Sequence, residues 1–79
     1  MVSRILESNT GLILDHKLLK NKEGFFVKVR FNGYEESSGV FASRDKAKKF
    51  FCLCIEHEVL PLNIKGVYDD LVFIDNYLN

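Results

Sequence analysis

An Asn-Gly dipeptide in the middle of the chain constrains the fold more than any other feature. Asn32-Gly33 separates two runs rich in apolar and aromatic residues, and both of its residues tolerate the positive φ angles of a type I′ turn. In the preceding run, residues 25–31, apolar odd positions alternate with Phe26, Lys28 and Arg30, which is the period of a strand. The sequence therefore predicts a β-hairpin whose return strand runs from Tyr34 to Phe41.

A helix is predicted directly after this hairpin. Ser43 is a favourable N-cap residue, because its hydroxyl can accept a hydrogen bond from an amide of the first turn. Four apolar residues then share one helical face: Ala47, Phe50, Phe51 and Cys54. The residue before Pro61 avoids the α region, so we expect a helix from Arg44 to about Val59.

The ends of the chain are predicted to add strands to the hairpin. We expect strands at Leu12–Leu19 and Val2–Glu7, a loop at residues 62–66 and a final strand at Val67–Ile74, although Asp69-Asp70 could instead cap a short helix. The predicted fold class is α+β. A three- or four-stranded antiparallel sheet carries one amphipathic helix on a face, in the order β-β-β-α-β.

Length and composition predict a single small domain over residues 1–79. A chain of 79 residues with 47% hydrophobic residues is too short for two domains and too apolar for intrinsic disorder. The sequence begins without the long apolar run of a signal peptide, and no stretch approaches 18 apolar residues. Together with two cysteines that suit a reducing compartment, these features predict a cytoplasmic protein without a membrane partner.

The charges are balanced overall but unevenly distributed. Residues 1–49 hold ten basic and six acidic residues, whereas residues 50–79 hold one basic and five acidic residues. This polarity suits a charged partner. A dedicated nucleic-acid-binding domain usually has a net basic charge, however, and this chain has a formal net charge of zero.

Residues 9–55 nevertheless resemble a family of DNA-binding domains. The pattern consists of Asn9–Leu12, Val27–Gly33, Ser38–Phe41 and Arg44–Phe51. It resembles the three-stranded-sheet-plus-helix domains of apetala and ethylene-response type, and the arm-binding domains of tyrosine recombinases. The resemblance implies that the exposed sheet face enters the major groove and that Lys28 and Arg30 contact DNA.

The sequence departs from this family directly after the turn, where it has Glu35 and Glu36. Family members often place basic residues there. A two-residue turn pairs Arg30 with Glu35 across the strands, and carboxylates on the docking face oppose phosphate binding. The same register places Glu36 beside Val29 on the buried side, so either the turn is longer or the register differs.

The candidate contact residues form two groups. On the sheet, Phe26 is expected to be exposed beside Lys28, Arg30 and Glu35, as a stacking platform or a protein hot spot, unless another strand or a second copy covers it. At the helix start, basic residues and free amides could hold an anion, or could form an ordinary solvated surface. The predicted contact residues are Phe26, Lys28, Arg30, Glu35, Arg44, Lys46 and Lys48.

No residue pattern indicates catalysis or metal binding. The four possible zinc ligands are His16, Cys52, Cys54 and His57, and their spacing matches no common zinc motif. His57 lies between Glu56 and Glu58, but adjacent helical residues point apart and would not orient its ring. We therefore predict no enzyme activity, no cofactor and no metal.

These observations favour a small non-enzymatic binding module that docks stoichiometrically onto a protein. Small domains rich in Asn, Lys, Asp and Phe are typical of phage or mobile-element accessory proteins, many of which inhibit a host enzyme or defence complex. The alternative is DNA or RNA binding through the sheet face and the basic helix start. Homodimerisation through an open strand edge is also a possible outcome.

Overall fold

The structure, a computed structural model, describes residues 3–73 and is a four-stranded antiparallel sheet followed by two helices. The strands lie in the order β1-β2-β3-β4, and their bounds are β1 Arg4–Thr10, β2 Leu14–Asn21, β3 Gly24–Phe31 and β4 Tyr34–Ser37. The helices are α1 Arg44–Glu56 and α2 Pro61–Phe73. The α+β class and the packing of a helix on the sheet are confirmed, with the element order β-β-β-β-α-α.

The central hairpin has the predicted type I′ turn and the register of a two-residue turn, so the expectation of a longer turn or a different register is wrong. Asn32 and Gly33 have φ angles of 52° and 78°, as a type I′ turn requires. Phe31 pairs with Tyr34, and the strands continue in register to Ser37. The return strand is shorter than predicted, because β4 ends at Ser37 and Phe41 rejoins β3 only through an isolated bridge to Phe25.

The predicted final strand at Val67–Ile74 is wrong, since residues up to Phe73 belong to α2; Ile74 lies outside the described residues. Pro61 begins this helix, at the position where the missing N–H is not needed. The predicted loop at residues 62–66 is helical for the same reason. Four residues at helical spacing pack on the core: Ile64, Val67, Tyr68 and Leu71.

Helix α1 begins as predicted and ends three residues early. The Ser43 Oγ accepts a hydrogen bond from the Lys46 amide at 3.4 Å. At the other end, Glu58 has a φ of 50°, and the Val59 amide donates to the Cys54 carbonyl at 2.9 Å. This is a Schellman cap with glutamate where glycine is usual, so a left-handed residue ends α1 before Pro61 does.

The first two strands are shifted along the sequence from their predicted positions. Strand β1 is Arg4–Thr10 and not Val2–Glu7, and β2 starts at Leu14 and not Leu12. A hydrogen bond from the Gly11 amide to the Leu14 carbonyl, 3.0 Å long, closes the turn between them. This shift places Leu12 in the turn instead of a strand.

The core lies between one sheet face, here called the inner face, and the two helices. Its largest fully buried side chains are Leu18, Val27, Val29, Phe50, Cys54 and Ile64, and the predicted apolar face of α1 is buried as expected. Phe41 packs against Phe50 and Tyr68, with ring centroids 5.3 and 5.1 Å away. None of the helices within residues 3–73 has the length and apolar character needed to cross a membrane.

Candidate functional site

The two predicted groups of contact residues lie on opposite sides of the sheet. Phe26, Lys28, Arg30 and Glu35 belong to the face away from the helices, here called the outer face. Arg44, Lys46 and Lys48 belong to α1, which packs on the inner face. A partner with one continuous flat surface therefore cannot contact both groups at once.

Phe26 lies on the predicted face, but the expectation that its ring is exposed is wrong. Its side chain is 8% exposed, and its cross-strand partner Leu19 is 5% exposed. The register places Ile5, Leu19 and Phe26 in one apolar row across three strands. The ring is therefore not available as a platform for stacking bases.

Charges on the outer face neutralise one another. Arg30 lies between two carboxylates, since it pairs with Asp15 on one side and Glu35 on the other. Lys28 is opposite Lys17 across β2 and β3, and its Nζ is 3.7 Å from a Glu35 carboxylate oxygen. This mixture gives the outer face little of the continuous positive potential that binds nucleic acid.

Glu36 lies on the inner side, as the two-residue turn requires. Its carboxylate is 3.7 Å from the Nζ of Lys65, which α2 brings to this edge of the sheet. The conflict in the sequence is resolved because α2 supplies a cation there, where a final strand had been expected.

The basic start of α1 is partly occupied by interactions within the chain. Lys48 forms an ion pair with Glu7 of β1, and its Nζ lies 5.7 Å from the centre of the Phe51 ring. Ser43 is used as the helix cap, and Asp45 adds a carboxylate to the first turn. These contacts favour a structural role for this segment over an anion site.

A surface that sequence reasoning missed lies where three turns meet. The pairing of Leu14 with Phe31 places the β1–β2 and β3–β4 turns at the same end of the sheet. A hydrogen bond between the His16 Nε2 and the Val59 carbonyl, 3.1 Å long, brings the α1–α2 connection to that end as well. We call residues 11–13, 32–34 and 57–62 the three-turn end.

The three-turn end is unusually apolar for an exposed surface. Eight large apolar side chains are exposed among those the structure describes, and five of them lie here: Leu12, Ile13, Tyr34, Leu60 and Leu62. Leu12 is fully exposed and Leu62 is 82% exposed. Single exposed apolar residues are normal, but a concentration of them marks an interaction site.

A cleft of about 280 Å³ lies at this end, between the β1–β2 turn and the last turn of α1. Its walls include the aliphatic side chains of Leu12, Ile13, Leu14 and Ile55. Its polar lining includes His16 and Glu58. The cleft thus combines an apolar surface with a few polar groups, as binding sites commonly do.

His16 is the buried polar group of this cleft, with an exposed fraction of 2%. A carbonyl oxygen can only accept a hydrogen bond, so the bond to Val59 requires the proton to be on Nε2. Burial lowers the pKa of His16, against the smaller opposing effects of the Val59 carbonyl, Asp15 and Glu58. The ring is therefore neutral at physiological pH, and its Nδ1 is an acceptor without a partner among the described residues.

Residues 3–73 contain no group of three or more His, Cys, Asp or Glu side chains positioned to hold a metal ion. Burial in the core raises the pKa of the Cys54 thiol to about 12, so it stays protonated and unreactive. Cys52 is exposed on α1.

Comparison with known proteins identified no matching family model, no significantly similar curated protein and no significantly similar solved structure. The resemblance of residues 9–55 to sheet-and-helix DNA-binding domains accordingly stays a prediction.

Proposed function

We propose that this protein is a small non-enzymatic binding module that docks stoichiometrically onto a protein partner through the three-turn end. The observation that carries this proposal is the exposure of large aliphatic side chains in the turns. Leu12 is fully exposed, Leu62 is 82% exposed and Ile13 is 61% exposed. These residues contribute little to the core of the isolated chain, so their value lies in contacts with something else.

The energetics support docking at this end. Fully burying a leucine or isoleucine side chain contributes about 1.5–3 kcal/mol relative to leaving it in water. Two or three such residues at the centre of an interface are enough to form a hot spot. Protein interfaces combine an apolar centre with a polar rim, and the carboxylates of Glu56 and Glu58 lie next to these turns.

Nucleic-acid binding is the second candidate, and the pair Lys17–Lys28 favours it. Two lysines directly opposite each other repel, so their placement suits an anion between them. Two phosphate contacts would give a slope of only about −2 for the logarithm of affinity against the logarithm of salt concentration. Because Arg30 is flanked by Asp15 and Glu35, we rank this function below protein docking.

Affinity capture with matched variants tests the proposal. We expect the tagged wild-type chain to recover a protein in equimolar amount from an extract of its own cells. Leu12→Asp should abolish recovery without affecting folding, because the Leu12 side chain is fully exposed. Val72→Asp, which changes an exposed apolar residue of α2 away from the three-turn end, should leave recovery unchanged.

Two results would contradict the proposal. Equal recovery by wild type and Leu12→Asp would show that the three-turn end is not the docking surface. Recovery that nuclease treatment abolishes, and that Lys17→Glu with Lys28→Glu prevents, would instead establish the nucleic-acid function.

A further inference from the structure

The two edges of the sheet differ in how well they are protected against an added strand. Strand β4 forms one edge with only four residues, carries Glu35 and Glu36, and has α2 packed against it. A short strand, charged side chains and a covering helix keep an edge from pairing with another chain. Strand β1 forms the other edge with seven residues, and neither described helix packs along it. The β1 edge is therefore the open one.

Protection of β1 is limited to its first half. Arg4 and Glu7 are charged, and the register with β2 shifts between Ile5 and Glu7. Charge and irregular pairing both oppose the addition of a strand. The second half, Ser8–Thr10, pairs regularly with β2, is exposed, and contains neither a charged residue nor a proline. This unprotected stretch leads directly into the β1–β2 turn, where Leu12 is fully exposed.

The backbone groups of this second half point to the open edge. The Gly11 amide donates to the Leu14 carbonyl of β2, so the Gly11 N–H faces β2. Successive residues of a paired strand alternate in this direction, so Asn9 also faces β2, whereas Ser8 and Thr10 face away from it. The edge thus presents two N–H and two C=O groups, which bond to no other described residue.

These backbone groups select an extended chain as their partner. Ser8 and Thr10 are two residues apart, so their donor and acceptor groups repeat at about 7 Å along the edge. An extended backbone has the same repeat and can exchange hydrogen bonds with both residues. A helix uses its backbone groups internally, and phosphate oxygens only accept, so neither matches this pattern.

We propose, resting on the docking function above, that an extended segment of the protein partner adds to β1 as a fifth strand. It pairs with Ser8–Thr10, where main-chain hydrogen bonds supply affinity, and it continues beside the β1–β2 turn. There its side chains contact the exposed Leu12 and Ile13, which supplies specificity. The open edge and the three-turn end are thus parts of one continuous docking surface.

A different protein fits this surface better than a second copy of the chain. Antiparallel pairing of two copies through Ser8–Thr10 has its two-fold axis at Asn9, so the three-turn ends of the copies lie at opposite ends of the joined sheet. The exposed Tyr34 and Leu62 would then stay in contact with water in both copies. A partner that follows one edge towards its turn can cover the other two turns as well.

Two substitutions at Thr10, compared in the affinity capture, test strand addition. Thr10→Pro removes the outward N–H, and proline is tolerated where the N–H of an edge strand faces solvent. Thr10→Val keeps both the N–H and the branched shape of the side chain. Thermal unfolding of both variants should stay close to that of wild type. We expect the affinity for the captured partner to fall about tenfold or more in Thr10→Pro and to change less than about twofold in Thr10→Val.

Hydrogen exchange in the captured complex tests the same pairing without a substitution. In the free chain the amides of Ser8 and Thr10 should exchange rapidly, because they face solvent. An added strand should slow both by about tenfold or more. The amide of Glu35 faces outward at the opposite edge and should keep its rate, which makes it the control. This measurement decides the question if Thr10→Pro does not fold.

Three results would overturn strand addition. An equal loss of affinity in Thr10→Pro and Thr10→Val would assign the contact to the side chain. Unchanged exchange of the Ser8 and Thr10 amides in the complex would show that the edge stays uncovered. Recovery of an untagged copy of this chain as the equimolar protein would mean that the edge joins two copies.

The outcomes also separate this inference from the docking function. If Leu12→Asp abolishes capture while Thr10→Pro leaves it unchanged, docking stands and strand addition is wrong. If Thr10→Pro weakens capture while Leu12→Asp does not, the partner pairs with β1 but the three-turn end is not the docking surface. Recovery of no protein by wild type would contradict both.

Discussion

At the scale of single residues, His16 both stabilises the fold and lines the cleft at the three-turn end. Its side chain is buried on the inner face of β2, and its Nε2 donates to the Val59 carbonyl in the connection between the helices. One hydrogen bond thus holds the α1–α2 connection against the sheet. The other ring nitrogen faces an environment that offers it no partner among residues 3–73.

The lowered pKa of His16 predicts that acid destabilises the protein. The unfolded chain has the ordinary histidine pKa of about 6.5, whereas burial keeps the folded value below it. Between these two pKa values the unfolded state binds a proton that the folded state does not. The free energy of unfolding should therefore fall as pH drops below about 6.5, by at most about 1.4 kcal/mol per pH unit.

Urea denaturation between pH 7.5 and pH 5, from about one unit above to about one and a half units below the ordinary histidine pKa, measures this effect. The His16→Gln variant is the control, because its amide can still donate to Val59 but does not titrate. Its stability should vary much less with pH over this range. The same pH dependence in wild type and His16→Gln would mean that His16 is not the group responsible.

Residue types could be assigned to faces from the sequence, but their exposure could not. The alternation in β3 places Phe26 beside Lys28 and Arg30, and the structure agrees. Alternation identifies the face of the sheet on which a side chain lies, but not which side chains of neighbouring strands lie beside it. The burial of Phe26 next to Leu19 was therefore not predictable. The exposure of Leu12 was not predictable either, because an apolar residue after Gly11 suits the start of a strand as well as a turn.

At the scale of elements, the packing of α2 on the sheet depends on a close approach at Gly39. A Cβ atom at position 39 would lie 2.3 Å from a ring carbon of Tyr68. That ring packs edge-on against Phe41 and Phe50, and its hydroxyl donates to the Val40 carbonyl at 3.1 Å. The segment after β4 and the middle of α2 are therefore held together by one aromatic cluster.

Alanine substitutions at two glycines should consequently have opposite effects. Gly39→Ala should destabilise the protein by about 1–3 kcal/mol, because the Tyr68 ring must move out of its packed position. Gly66→Ala should stabilise it by about 0.5–1 kcal/mol, because Gly66 lies inside α2 and a Cβ there meets no atom within 4 Å. Thermal and urea unfolding compare the two variants with wild type, and destabilisation by Gly66→Ala would mean that residue 66 is not helical.

The elements with strong local signals were predictable, and those fixed by tertiary contacts were not. The Asn32-Gly33 turn and the Ser43 cap determine the hairpin and the start of α1 by local geometry. In contrast, residues 67–73 are apolar enough for either a strand or a helix. Pro61 suits the first position of a helix as well as the end of the preceding one, so the local signal was ambiguous. The helical state also depends on Ile64 reaching the core, which is a property of the folded chain.

At the scale of the whole molecule, the fold separates surfaces that are close in sequence. Lys28 and Lys46 belong to neighbouring segments of the chain, yet the sheet lies between them because α1 crosses to the inner face. The contact residues predicted from the charge pattern therefore lie on two opposite sides of the sheet. Conversely, the fold brings together three turns that are far apart in sequence and that form one apolar end. No local pattern in the chain indicates that these turns lie side by side.

Site-specific photocrosslinking in the cell extract tests most directly whether the three-turn end is the docking surface. A benzophenone side chain is introduced at Leu12, at Lys28 on the outer face or at Lys49 on the exposed side of α1. We predict that the probe at position 12 gives a one-to-one protein adduct and that those at positions 28 and 49 give little. A dominant adduct from position 28 or 49, with none from position 12, would contradict docking through the three-turn end.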